Sequence, residues 1–302
     1  MNQNDILNFY KKTSLYTNYG PYKTYFSKLP DDLRELTNLI NHQYIHRSIL
    51  YRAYLNNEKL KQEYAWYKYR SHDDILLTAP AITAELFWLD SKGFTLLRDN
   101  KNKVIITCRY ASILLASILK AKGYSARVRS GFSTIVSKEQ YIDHWVTEYF
   151  NRERNKWIMI DSDIVKAKLP IKNYDNTNVR KDHFYTAAQA WLDTRSGKID
   201  INLFKHGSHI KGLEMLARTL FFDFHSLMND EISYLFFPTY ISNTSKFFNL
   251  TAKELNELDE LAVLMLDPDK NFDELRYIFR NDKKLRAINT PLLSDRDHLE
   301  LQ

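Results

Sequence analysis

Three residues near the middle of the chain have the types and order needed for acyl transfer: Cys108, His144 and Asp161. Cys108 is the only cysteine among 302 residues. The thiolate is the reactive form of cysteine, and its ordinary pKa of about 8.5 falls at a helix N-terminus or beside an imidazole. The N–H groups and positive dipole end of a helix start favour that thiolate and can also receive the oxyanion of a tetrahedral intermediate. A histidine would take the thiol proton and later return it, and a carboxylate would fix the imidazole tautomer. The competing reading is an inert thiol that packs as a small hydrophobe, as free cysteines commonly do.

These roles require particular elements. In "TCRYASILLASILKAKGYSARVRSGF", Ala111, Leu114, Leu115 and Ile118 fall at i, i+3, i+4 and i+7. That spacing predicts a helix opening at Thr107 or Cys108, with Gly123 as its left-handed stop. The period then changes to two, with Ala126, Val128 and Phe132 alternating with Arg127 and Arg129. "DHWVTEYF" and "KWIMID" follow as two further strands, with the polar "NRERNK" as their hairpin connection. His144 then stands at the start of one strand and Asp161 at the end of the next, side by side in an antiparallel pair.

Helices flank this centre. Residues 1–30 read as polar, aromatic and irregular, with "YGPY" marking a turn. "LPDDLRELTNLINHQYIHRSILYRAYL" carries a proline, first-turn acids and apolar residues at helical spacing. A second helical stretch is expected near Glu63–Tyr69, and a third from Asp73 to Asp90, interrupted at Pro80. "SKGFTLLRDNKNK" reads as a loop. Beyond Phe184 the clear pieces are "TAAQAWLDTR", "KGLEMLARTLFFDFHSLM", "TAKELNELDELAVLML" and "NFDELRYIFR". There is no internal repeat and no obvious linker, so an α+β fold with helical flanks is expected.

Taken together, "CRYASILLASILKAKGYSARVRSGF", "DHWVTEYF" and "KWIMIDSD" resemble the transglutaminase-like superfamily of papain-type cysteine enzymes. The resemblance rests on Cys-Arg opening a Leu/Ala helix, a Gly-aromatic-small-Ala-Arg approach to a strand, His-Trp-Val-x-Glu, and Trp157 followed four residues later by Asp161. It is strongest over residues 98–163 and continues more weakly through "AAQAWLDTRSGKIDINLF", which is similar to a segment of bacterial single-domain members. It implies Cys108 as nucleophile, His144 as general base and acid, and Asp161 as orienter. It further implies a nucleophile helix packed on a small antiparallel sheet. On this basis the chain reads as one domain over 1–302, with an N-terminal helical region 1–97, a catalytic core 98–170 and a mainly helical C-terminal region 171–302. Animal-type members use an upstream tryptophan in the oxyanion site. Neither Trp66 nor Trp88 aligns with it, and Trp88 is expected in the core. With no β-domains and no EF-hand-like loop, no calcium requirement is expected.

Nearby residues admit alternatives. Asp163 shares a strand face with Asp161 and could replace it, although the Trp-x-x-x-Asp spacing favours Asp161. Asp143 points to the opposite face and is expected in solvent. Glu148 shares the His144 face as either a supporting group or a satisfied buried acid. Arg109 can raise the positive potential at the thiolate, or serve as a surface cation or the partner of a nearby acid. His42 and His46 are spaced i, i+4, but no glutamate follows the first, and His206 and His209 form a similarly weak pair. A metal site takes three or four ligands, so no metal and no cofactor are expected.

The totals limit the partners. The net charge is +6 and the pI about 9.0, yet 37 acids are interspersed with the basic residues and no basic run exceeds two, so no nucleic-acid partner is expected. A lone cysteine excludes an intramolecular disulfide framework. No signal peptide and no apolar run of spanning length is present, so no membrane partner is expected and the chain reads as cytoplasmic. The expected activity is cysteine-dependent acyl transfer on an amide or thioester carbonyl of a peptide, protein or small-molecule substrate. A thioester acyl-enzyme would pass its acyl group to an amine or to water. The alternative is a catalytically silent binding module on the same fold. The sequence leaves oligomeric state open.

Overall fold

The computed structural model describes residues 1–48, 50, 75–135, 140–163, 174–206, 210–234 and 250–287. The expected helix near Glu63–Tyr69, Trp66 within it, and His209 lie outside these residues, as does the side chain of His206. No helix among the described residues is long and apolar enough to cross a membrane. The chain divides into two compact units, one of Leu7–Val128 with His144–His183, the other of Met1–Ile6, Arg129–Asp143 and Phe184–Gln302. Helices and a mixed sheet make the class α+β.

The N-terminal stretch, expected to be irregular, forms helices α1 (Gln3–Lys11) and α2 (Lys23–Ser27). Helix α3 (Leu33–Asn41) begins where the Asp32 carboxylate accepts from the N–H groups of Arg34 and Glu35, both at 2.9 Å. The helical pattern does not continue through the next residues as its spacing predicts. It stops at Asn41, and Tyr44–His46 form strand β1, paired in parallel with β2 (Val104–Ile106). Pairing with a distant, fully buried Val-Ile-Ile segment outweighs local helix propensity. The histidines at i, i+4 are therefore separated, with His42 capping α3 and His46 on a strand. Helix α4 (Ala79–Leu89) starts from the Thr78 cap, with Pro80 in its first turn, where a missing N–H costs nothing. Pro80 opens this helix rather than interrupting it. Trp88, expected in the core, is 80% exposed on α4.

Helix α5 (Cys108–Ala121) starts at the predicted residue and ends before Gly123, whose φ of +88° is the left-handed stop. It is buried on all sides from Cys108 to Lys120, not along one stripe. Helices α2, α3 and α4 pack against it. The Thr147 hydroxyl donates to the Ser112 backbone carbonyl at 3.0 Å, and the Lys120 ammonium donates to the Thr17 hydroxyl at 3.3 Å.

Strands β3 (Ala126–Ser133) and β4 (Tyr141–Asn151) are neighbours. β4 turns through Asn155, at φ +46°, into β5 (Lys156–Ile160), pairing antiparallel from Asn151↔Lys156 to Thr147↔Ile160. The buried Arg127 of β3 donates to Glu148 of β4 at 2.7 Å and lies over the Trp157 ring at 4.0 Å. Glu148 is thus a satisfied buried acid.

In the other unit, β6 (Phe184–Thr186) pairs antiparallel with β3, and β7 (Phe204–His206) pairs parallel with β4 and antiparallel with β8 (Ile210–Lys211). The sheet is therefore mixed, not antiparallel throughout. Gly131 is required beside β6, since a Cβ there would stand 2.4 Å from the Tyr185 carbonyl oxygen. Helices α6 (Ala187–Arg195), α7 (Gly212–Leu227), α8 (Ala252–Leu266) and α9 (Phe272–Asn281) match the four helical pieces of the sequence. Thr251 and Glu254 form a capping box on α8, and Asp259 of α8 accepts from the indole N–H of Trp191 on α6 at 2.7 Å.

Candidate active site

Cys108 is the first residue of α5, with Thr107 at the cap position and no side-chain cap bond there. Only 5% of Cys108 is exposed, but polar groups wall it. Its sulfur, a ring nitrogen of His46 and a carboxylate oxygen of Asp163 all lie within 4.8 Å of one another. Strand β1 brings His46 here, α5 brings the thiol, and the segment leaving β5 brings Asp161 and Asp163.

His144, on β4, pairs with Asp161: the imidazole Nε2–H donates to Oδ2 at 3.0 Å, and both side chains are buried. Asp161 accepts two further hydrogen bonds, from the Tyr174 hydroxyl at Oδ2 and from the Asp163 N–H at Oδ1, 2.8 Å away. A carboxylate accepting three donors remains an acceptor, so the proton of a neutral His144 sits on Nε2 and leaves Nδ1 as the basic nitrogen. Burial, and then the Asp161 charge, raises the Tyr174 pKa far above the ordinary tyrosine value, so the phenol keeps its proton.

Asp163 has different partners. The Tyr44 hydroxyl lies 3.1 Å from its Oδ1 and donates to the Ser162 carbonyl at 2.9 Å, while Oδ2 faces the His46 Nε2 at 3.6 Å. Burial raises the Tyr44 pKa well above its usual value, and the charges of Asp163, Asp161 and Cys108 add to that rise. His46 is fixed from its other side by Ser48, whose Oγ lies 2.8 Å and whose N–H lies 3.2 Å from Nδ1.

Arg109 is not a surface cation. It is fully buried, its guanidinium lying over the rings of Tyr110 at 4.6 Å, Tyr16 at 5.1 Å and Trp145 at 5.9 Å. It anchors the first turn of α5 in aromatic packing. Asp143 is half-buried.

Tyr44, His46 and Tyr174 were not assigned to this site from sequence. His46 stood out only for its spacing from His42, and a strand of three residues leaves almost no periodic signal. A cavity of about 810 Å³ lined by Lys11, Lys122, Tyr124, Tyr149 and Arg152 opens beside the other end of α5. It contains neither cysteine nor histidine, and it lies about 20 Å from Cys108 at 1.5 Å of rise per residue. Compared with family models, curated proteins and solved structures, the chain matches none.

Proposed function

We propose that the chain is a cysteine-dependent acyl-transfer enzyme of transglutaminase-like or amidase-like chemistry on a papain-like core. Cys108 is the nucleophile, His144 the general base and acid, and Asp161 the orienter. The supporting observation is that the buried His144–Asp161 pair, at 3.0 Å, adjoins Asp163, whose N–H donates to Asp161 at 2.8 Å and whose carboxylate lies within 4.8 Å of the Cys108 sulfur at the start of α5. The Nδ1 of His144 takes the thiol proton, and the sulfur adds to an amide or thioester carbonyl at the positive end of α5. Return of the proton to the leaving amine or thiol yields a thioester acyl-enzyme. Water or an amine then attacks it, with His144 acting as base. Access of that second substrate decides between hydrolysis and transfer.

The test is to trap the intermediate. The protein is incubated with peptides, glutamine donors and acyl thioesters, and its intact mass is measured. The expected result is an acyl adduct on the native protein that is absent from Cys108→Ala and strongly reduced in His144→Ala. An adduct lost in His46→Ala and retained in His144→Ala would transfer the base role to His46. No adduct from any donor class overturns the reading. The low exposure of Cys108 favours one rival, a silent binding module. In that case iodoacetamide would label Cys108 only after unfolding.

A further inference from the structure

We propose that His46, Cys108 and Asp163 form a binding site for a borderline-soft divalent cation of the zinc class, and that a cation held there blocks the thiol. The blocking half rests on the acyl-transfer reading, whereas the binding half stands on geometry alone.

The donor set is one sulfur, one imidazole nitrogen and one carboxylate oxygen, drawn from three separate segments and all within 4.8 Å of one another. These are the donor types that zinc accepts. The separation of His46 Nε2 and Asp163 Oδ2, 3.6 Å, exceeds the 2.7–3.2 Å range of a nitrogen–oxygen hydrogen bond. It fits a shared cation better, since two bonds of about 2.1 Å at a tetrahedral angle set their ligand atoms about 3.4 Å apart. A thiolate bond of about 2.3 Å places the sulfur about 3.6 Å from each of the other two, so the triangle needs to close by only about 1 Å.

The atoms facing away from this point are held as metal ligands usually are. Tyr44 lies against the far oxygen of Asp163, and Ser48 holds the far nitrogen of His46. In the metal-free protein the Ser48 N–H donates to Nδ1 at 3.2 Å, so cation binding requires that bond to open and the imidazole proton to move from Nε2 to Nδ1, where Ser48 Oγ, 2.8 Å away, accepts it. The carboxylates of Asp161 and Asp163 are 1% and 5% exposed, and buried carboxylates favour a nearby cation. Binding replaces the S–H bond with a metal–sulfur bond and releases the thiol proton to solvent. The lone pair that would attack a carbonyl is then engaged. Three protein ligands leave a fourth position for water.

The test uses full-length protein stripped with a chelator and titrated with Co²⁺, with Zn²⁺ as competitor. The expected result is one Co²⁺ per chain, with a thiolate-to-cobalt charge-transfer band that Zn²⁺ abolishes. The band is lost in Cys108→Ser and in His46→Ala but kept in His42→Ala. Tyr44→Phe weakens binding by about 10–100-fold, as loss of an outer hydrogen bond does. Zn²⁺ raises the melting temperature of the native chain, a readout that requires no variant. Absence of both the band and the melting shift overturns the site, as does an unchanged band in a folded His46→Ala protein. If metal-free protein forms an acyl adduct, added Zn²⁺ suppresses it; an undiminished yield with Zn²⁺ bound overturns the blocking half. A cobalt band with no adduct under any condition supports the site and overturns the acyl-transfer reading instead.

Discussion

Arg98 is the residue whose loss should most directly loosen the strand that carries Tyr44 and His46. Its side chain is 4% exposed and donates to four acceptors: Gln43 Oε1 at 2.8 Å, the carbonyls of Leu86 at 3.1 Å and Asn102 at 2.9 Å, and the Gly93 carbonyl. Gln43, itself fully buried, bridges to the carbonyls of Leu39 and Thr95 and immediately precedes β1. Arg98→Met keeps the bulk of the stem and removes all five N–H donors. Each buried acceptor stripped of its partner costs about 1–3 kcal/mol, partly recovered where water enters. A loss of about 3–5 kcal/mol is expected, or a fall in melting temperature of roughly 6–20 °C at about 2–4 °C per kcal/mol. The control is Arg180→Ala. The Arg180–Asp182 pair has side chains 62% and 57% exposed, and solvent screening leaves such a pair little effect on stability. Scanning fluorimetry on both variants, with Gln43→Met and the double variant, should show a coupling of about 0.5–3 kcal/mol between Arg98 and Gln43. Equal shifts for Arg98→Met and Arg180→Ala would refute the claim that this buried cation holds β1.

Other expectations are more local. Leu115→Ala, at a fully buried position of α5, should cost about 2–5 kcal/mol in urea unfolding, whereas Leu97→Ala, at a position 91% exposed, should be nearly neutral. Tyr174 has a folded pKa raised by burial and by Asp161, so its contribution is fully present below the unfolded tyrosine pKa of about 10 and fades as pH rises beyond it. The native chain should therefore lose up to about 1.4 kcal/mol more per pH unit above pH 10 than Tyr174→Phe, measured by urea unfolding across that range. Thr251→Ala, which removes the capping box of α8, should cost about 1 kcal/mol in thermal melting. On a DNA column the chain should elute by about 50 mM salt, because its charge of +6 is dispersed; retention well beyond that would reveal a basic face.

The sequence by itself determined the parts that are local. The apolar spacing after Cys108 and the glycine at 123 bound α5 at both ends, because a helix is written by its own i, i+3 and i+4 neighbours and its caps. The alternation around Val128, His144 and Ile158 placed β3, β4 and β5 for the same reason, and the hairpin put His144 near Asp161. Only the tertiary structure decided the remainder. β1 reads as a continuation of α3 until Val104–Ile106 arrives from far along the chain to pair with it. That pairing turns Tyr44 and His46 toward the thiol. It also gives Asp163 partners of its own and leaves Asp161 to His144. A three-residue strand has no period to detect, and the burial that fixes Tyr44, Tyr174 and Arg109 exists only once distant segments exclude water around them.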